Sequence, residues 1–147
     1  ANEYDGSLDY YVIRYAEVLL SLSEAMIEKG GYSQDQITKY INEVRQRVNM
    51  PKVEDVEGKG LSQEQLRQIV RHERRVELAF EDLRFADLYR WGEWKNAVER
   101  MNKEFETYGA GDYERSYRGA QDEVWPIPQN EIDTDKNLKQ HKEWGGE

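Results

Sequence analysis

The scarcity of proline is the feature that most constrains the fold of this chain. The 147 residues include three prolines, and only Pro51 lies between Leu8 and Tyr108. Because proline breaks the interior of a helix, long windows on both sides of Pro51 are free to be helical. Strand signals are few, and the best is the Val124-Trp125 pair, which precedes Pro126. The sequence therefore predicts an all-α fold.

Two helices joined by a short turn are predicted in the first third of the chain. The first covers about 12–29, and Gly30-Gly31 ends it. The second covers about 34–49, where Ser33 and Gln36 have the spacing of a capping box. Helices joined by so short a turn pack antiparallel, so the pair predicts a tetratricopeptide-like helical hairpin. Spacings of three and four define the expected inner stripe of the first helix: Val12, Tyr15, Leu19, Leu22 and Met26.

Two further helices and a tail follow. A third helix is predicted over about 63–91, starting from a second capping box at Ser62 and Gln65, with a bend near Glu81-Asp82. Its expected inner face comprises Leu66, Ile69, Val70, Val76, Phe80 and Leu83. A fourth helix is expected over about 93–106, and 109–147 is expected to be an ordered coil tail. We expect residues 1–147 to form a single domain.

One acidic residue lies in the middle of an apolar helix face. On a wheel of ~100° per residue, Glu73 falls at the centre of the inner face of the third helix, with Glu77 about 40° away. A lone buried carboxylate is costly, so we expect a cationic partner. Arg45 lies at the edge of the apolar face of the second helix. We therefore predict a buried ion pair between Arg45 and Glu73 or Glu77. A structural role in helix registry is favoured over the alternative of an active-site acid.

Charge and composition exclude several classes of function. The net charge is −9, which argues against a nucleic-acid partner. Cysteine is absent, which excludes disulfides, thiol catalysis and cysteine metal sites. No stretch approaches the ~18 continuous apolar residues of a membrane span.

Catalytic and metal motifs are also lacking. His72 and His141 do not form a His-Glu-x-x-His pattern, and neither a nucleophile elbow nor a phosphate loop is present. Residues 133–137 begin like a calcium loop but lack its glycine and its distal glutamate. We therefore predict no catalytic residue, no cofactor and no metal.

Seventeen aromatic residues are many for so polar a chain. Four of them lie in helical apolar stripes and are expected in the core: Tyr15, Phe80, Trp94 and Phe105. The candidate ligand contacts are instead Tyr108, Tyr113 and Tyr117, since loops on a helical scaffold often carry binding residues. The alternative is that these tyrosines only pack the loop against the rest of the protein.

Four blocks of sequence, in this order, resemble one known family over nearly the whole chain. They are Arg14–Leu20 (RYAEVLL), Ile41–Arg47 (INEVRQR), Glu73–Glu81 (ERRVELAFE) and Trp125–Ile132 (WPIPQNEI). The chain resembles the C-terminal region of the SusD/RagB family of outer-membrane nutrient-binding lipoproteins. It departs from the family pattern at Asp82, where glycine is usual, and at 135–136 and 141–143 in the tail. An aspartate tolerates a left-handed turn at modest cost, so we expect the bend to survive.

The resemblance implies a non-catalytic protein that captures glycans, or sometimes peptides, at the surface of the outer membrane. It also implies delivery to a SusC-like TonB-dependent transporter, and anchorage through a lipidated cysteine that this chain does not contain. In well-known members much of the glycan-binding surface lies outside the region resembled, so we expect weak or undetectable glycan affinity here. The competing hypothesis is a free-standing helical-repeat protein-interaction module without a sugar ligand, and an acid-base hydrolase is remote.

Overall fold

A computed structural model describes residues 11–109 and 114–146. The chain divides into two compact units, with the boundary between Arg84 and Phe85. Within the described residues the secondary structure is helical and no strand occurs, so the predicted all-α class is confirmed. The helices are α1 (Tyr15–Lys29), α2 (Gln34–Arg47), α3 (Val53–Val56), α4 (Gln63–Glu77), α5 (Leu83–Arg90), α6 (Trp94–Tyr108) and α7 (Gln129–Thr134).

The first unit is built on α1, α2 and α4. Both predicted capping boxes are formed: Ser33 Oγ accepts a hydrogen bond from the backbone N–H of Gln36, and Ser62 Oγ accepts one from that of Gln65. In each box the glutamine side chain accepts in return from the backbone N–H of the serine, which satisfies two orphan donors at the helix start. The apolar core lies between these helices and comprises Leu19, Leu20, Ile27, Ile37, Ile41, Val44, Val53, Leu66 and Val70.

The buried face of α1 differs from the expected stripe. Tyr15 and Leu22 are exposed, whereas Leu20, Ser23 and Ile27 are buried. The reason is that α1 packs against two helices, α2 and α4, so its buried face is displaced by about one residue. That face includes a polar residue, Ser23, whose hydroxyl donates to the carbonyl of Ile37 at 3.0 Å.

A turn separates α4 from α5 where the sequence predicts a bend in one helix. Asp82 has a φ of 60°, the left-handed backbone that an aspartate was expected to accept there. Phe80 also has a positive φ, 65°, and its side chain is fully exposed. The expectation that Phe80 belongs to the core is therefore wrong for this unit, because the helix ends before the periodicity reaches it. Val76 is exposed as well.

The second unit contains α5 from Phe85 onward, α6, α7 and two short 3-10 segments, Gly119–Asp122 and Lys142–Trp144. Side chains hold its irregular segments in place. The Gln140 amide accepts from the backbone N–H of Ile127 and donates to its carbonyl, at 3.0 and 2.9 Å. The indole N–H of Trp144 donates to the carbonyl of Val124 at 2.7 Å. The region predicted as a coil tail therefore contains short helical segments, and side-chain hydrogen bonds connect its irregular parts.

Candidate functional site

The structure brings Arg45 and Glu73 together. Nη2 and Nε of Arg45 lie 2.6 and 3.0 Å from Oε1 of Glu73, and the two side chains are 7% and 9% exposed. Arg45 Nη1 also donates to the carbonyl of Pro51 at 3.4 Å. Glu73 therefore faces a guanidinium within the helix interface.

Glu77, the alternative partner for Arg45, belongs to another cluster. Its carboxylate lies 2.6 Å from Arg14 Nη1 and 3.0 Å from Arg47 Nη2. Arg14 also contacts Glu81 at 2.7 Å, and this hydrogen bond raises the pKa of the guanidinium. Arg14 precedes α1, and Glu77 ends α4. The cluster therefore ties the start of one helix to the end of another.

A cleft of about 830 Å³ lies in the second unit and is lined in part by aromatic side chains. The aromatic residues are Phe85, Trp94, Trp125 and Trp144. Phe85 and Trp94 meet edge to face, with ring centroids 5.0 Å apart. Trp125 is 80% exposed, a large exposure for an indole. The cleft volume lies within the range of small-molecule sites.

Polar residues, together with Val98, Met101 and Pro126, line the rest of the cleft. Arg118 pairs with Asp122 at 2.9 Å, and its Cζ lies 5.5 Å from the centroid of the Trp144 ring. The pKa of Asp122 is lowered, chiefly by the backbone N–H of Arg118 and then by its side chain. Gln121 Nε2 donates to the carbonyl of Glu143 at 2.6 Å. Hydrogen bonds and an ion pair thus hold the polar wall in one arrangement.

The indole N–H of Trp94, another lining residue, is buried. It helps to lower the pKa of Asp122, yet it forms no hydrogen bond of normal geometry with any residue that the structure describes. Trp94 is half-buried and lines the cleft, rather than lying inside a closed core.

Two of the candidate tyrosines, Tyr108 and Tyr117, are not among the residues that line the cleft. Tyr108 ends α6 and is 84% exposed. Tyr117 is half-buried, and its hydroxyl lies 3.3 Å from Oε1 of Glu123. Desolvation and the carboxylate of Glu123 raise the pKa of Tyr117. Tyr113 lies outside the described residues. Their proposed role in ligand contact stays a prediction.

Sequence reasoning did not single out the cleft tryptophans. Trp94 was expected in the core, Trp125 was considered only as part of a strand signal and of the family resemblance, and Trp144 was not considered as a ligand contact. These residues come from α6 and from two distant parts of the tail, so no periodic spacing links them. The available signal was the concentration of all four tryptophans after residue 90.

Residues 133–137 form a local turn: Oδ1 of Asp135 accepts from the backbone N–H and the side-chain amide of Asn137, at 2.9 and 3.1 Å. Across the described ranges no group of three metal-ligating side chains is found. Nor does any described helix have the length and apolar character needed to cross a bilayer.

The comparison with protein families decides the relationship. The profile described as the SusD family matches residues 1–144. This chain belongs to the SusD family. The resemblance derived from the four sequence blocks is thereby confirmed.

SusD-family relatives share sequence along most of the chain. A SusD-like protein of Formosa agariphila is 30% identical over 93% of this chain and 26% of its own length. A second SusD-like protein of that organism is 38% identical over 65% of this chain and 18% of its own length. The chain therefore spans about a quarter or less of these curated relatives.

Solved structures of the family share the fold. The crystal structure of a SusD homolog from Bacteroides thetaiotaomicron matches with a TM-score of 0.72 and 31% identity, covering 90% of this chain and 26% of that one. A SusD-like protein from Bacteroides fragilis matches with a TM-score of 0.53 and 35% identity, covering 64% of this chain and 17% of that one.

Proposed function

We propose that this chain is the C-terminal part of a cell-surface lipoprotein that captures glycans, or peptides, and passes them to a SusC-like TonB-dependent transporter. The observation that carries the proposal is the SusD-family match over residues 1–144. In this proposal a lipid on a cysteine outside this chain provides the membrane anchor. The proposed ligand contacts are Tyr108, Tyr113 and Tyr117.

The proposed role is binding, not catalysis. Glu73, the residue considered as an alternative active-site acid, is nearly buried and paired with Arg45 at 2.6 Å. A general acid needs access to the substrate as well as a shifted pKa, and this carboxylate has no such access. Release of reducing ends from a polysaccharide panel incubated with the chain would contradict this assignment.

The test of capture compares this chain with the longer native protein. Isothermal titration uses starch, xylan, mucin glycans and fructans. We expect the native protein to bind at least one of them, and the 147-residue chain to bind it weakly or not detectably. Micromolar binding by the chain that disappears on Tyr113→Ala or Tyr117→Ala would place the principal site here. Failure of the native protein to bind any glycan or peptide tested would contradict the proposal.

One observation favours a second candidate function, a helical-repeat protein-interaction module. Tyr15, Val18 and Leu22 are exposed and share a face of α1 at spacings of three and four. Such an apolar face can pack against another helix. Mass spectrometry of the native protein distinguishes the two candidates, because only the lipoprotein carries an acylated N-terminal cysteine. A soluble native protein without acylation would favour the interaction module.

A further inference from the structure

The cleft of the second unit has a composition suited to carbohydrate. We propose that it is a subsite for a neutral oligosaccharide, with Trp125 as its stacking platform. This inference rests on the proposed function, glycan capture, and assigns part of that function to a specific place. Tyr108, Tyr117 and the Arg45–Glu73 pair do not belong to the lining.

The aromatic lining supplies the apolar part of saccharide recognition. The C–H faces of a pyranose ring are apolar and stack on flat aromatic rings, while its hydroxyls require polar partners at the rim. Trp125 offers a largely exposed indole beside Pro126. The Trp144 indole N–H is already bonded to the carbonyl of Val124, and Arg118 lies over its ring. Trp125 is thus the lining tryptophan whose exposure best suits it to stack on a ligand.

A polar segment also lines the cleft. The amide of Asn102 on α6 donates to the carbonyl of Arg115 at 2.7 Å and accepts from its backbone N–H at 3.0 Å. This pair of bonds ties the segment 114–116 to the helix. The segment presents the side chains of Glu114, Arg115 and Ser116 to the cleft. Carboxylate, guanidinium and hydroxyl groups are the partners that sugar hydroxyls use.

The charge of the lining favours a neutral ligand. The lining includes two carboxylates, those of Glu114 and Asp122, and two guanidiniums, those of Arg115 and Arg118. Arg118 and Asp122 neutralise one another in their ion pair at 2.9 Å. Glu114 and Arg115 then contribute one charge of each sign, so a uronate or sulfated sugar would meet no excess of cations.

The experiment follows the four indole N–H signals of the ¹⁵N-labelled chain by NMR. The probes are maltohexaose, xylohexaose, a fructo-oligosaccharide and, as the acidic comparison, an oligogalacturonide. Single Trp→Phe substitutions assign the signals. Trp91 does not line the cleft and serves as an internal control. We expect one neutral oligosaccharide to shift the Trp125 signal, with smaller shifts at Trp94 and Trp144, while Trp91 stays unchanged and the oligogalacturonide has no effect.

Two variants test whether the oligosaccharide binds at the cleft or at another exposed aromatic residue. Trp125→Ala is expected to weaken the binding by about tenfold or more, because it removes the stacking surface. Phe80→Ala is the matched control, since Phe80 is also an exposed aromatic residue but lies in the first unit. It is expected to leave binding unchanged. Unchanged spectra of Trp91, Trp94 and Trp144 in free Trp125→Ala would verify that the variant is folded.

Three outcomes overturn the proposal. The first is that no indole N–H signal of the cleft shifts with any neutral oligosaccharide, and the second is that the Trp91 signal shifts as much as that of Trp125. The third is that Phe80→Ala weakens binding as much as Trp125→Ala. If the native protein nevertheless binds glycans, glycan capture stands and only the cleft assignment fails. If the cleft indoles respond while the native protein delivers no glycan to a transporter, the cleft assignment stands and the proposed uptake function fails.

Discussion

At the scale of single residues, the Arg45–Glu73 pair shows how a charge can occupy a helix interface. Arginine suits this place because its planar fork makes two directed contacts with one carboxylate oxygen, at 2.6 and 3.0 Å, and a third with the carbonyl of Pro51. Removing one partner would leave the other charge buried and unpaired, which costs more than the pair contributes when intact.

We predict that Glu73→Ala lowers the free energy of unfolding by roughly 3–5 kcal/mol, because it strands the Arg45 guanidinium. Chemical denaturation followed by circular dichroism measures the change. Glu43→Ala is the control, since Glu43 lies on α2 but is exposed, and it should unfold like the wild type. A Glu73→Ala midpoint equal to that of the wild type would contradict the assigned structural role.

At the scale of elements, polar side chains of α2 determine where the short helix α3 lies. Oδ1 of Asn42 accepts from the backbone N–H of Val53 at 2.8 Å, and Nδ2 of Asn42 donates to Oε2 of Glu54, also at 2.8 Å. The hydroxyl of Thr38 donates to the other oxygen of Glu54. A four-residue helix has little stability of its own, so these bonds and the burial of Val53 hold it against α2.

The hydrogen bonds to Glu54 predict that the free energy of unfolding depends on pH. Burial by itself raises the pKa of Glu54, but hydrogen bonds from Thr38, the backbone and Asn42 outweigh it, so the pKa lies below its ordinary value of 4.5. A lowered pKa in the folded state contributes stability that is present above the ordinary pKa and is lost as the pH falls through the folded value. We therefore expect the wild type to lose stability below pH 4.5 through this carboxylate.

The measurement compares denaturation curves of the wild type and Glu54→Gln from neutral to acidic pH. The variant should be less stable at neutral pH, and its difference from the wild type should shrink as the pH falls. Glu57→Gln is the control, because Glu57 is an exposed neighbour at the end of α3, and it should follow the wild type throughout. A Glu54→Gln difference that does not change with pH would contradict the hydrogen-bonded role of this carboxylate.

At the scale of the whole molecule, the two units have unequal cores. The first unit buries the nine-residue apolar cluster shared by α1 to α4. In the described part of the second unit, the buried hydrophobic side chains are Leu88 and Val98. Because burial of apolar surface is the main favourable term in folding, the second unit has the weaker driving force of the two.

The positions of the tryptophans allow the stability of the second unit to be measured separately. All four lie beyond residue 90 and therefore in the second unit, so fluorescence reports on that unit, whereas far-ultraviolet circular dichroism reports on helices of both. We expect the fluorescence midpoint in urea to lie below the circular-dichroism midpoint. Leu20→Ala, in the core of the first unit, should move the circular-dichroism curve more than the fluorescence curve. Coincident curves in both proteins would instead support the single domain predicted from the length of the chain.

The helix caps and the position of Glu73 on its helix face were predictable from the sequence, because each depends only on residues close together along the chain. Both capping boxes were predictable from a serine and a glutamine three residues apart, since the bonds involved join residues of one helical turn. The position of Glu73 on its helix face was predictable in the same way. The periodicity did not show that α1 contacts two neighbours, which is why the exposure of Tyr15 and Leu22 was not foreseen.

The sequence by itself determined the helical class, the helix starts, the need for a cation opposite Glu73 and the family resemblance, because each follows from the order of residues along the chain. Only the tertiary structure decided that Arg45 pairs with Glu73 while Arg14 and Arg47 hold Glu77. It also decided that Trp94, Trp125 and Trp144 meet around one cleft. The physical reason is that the partners in these contacts are far apart along the chain. Arg45 and Glu73 are separated by 28 residues, and Arg47 and Glu77 by 30. Their side chains come within contact distance only when the helices pack.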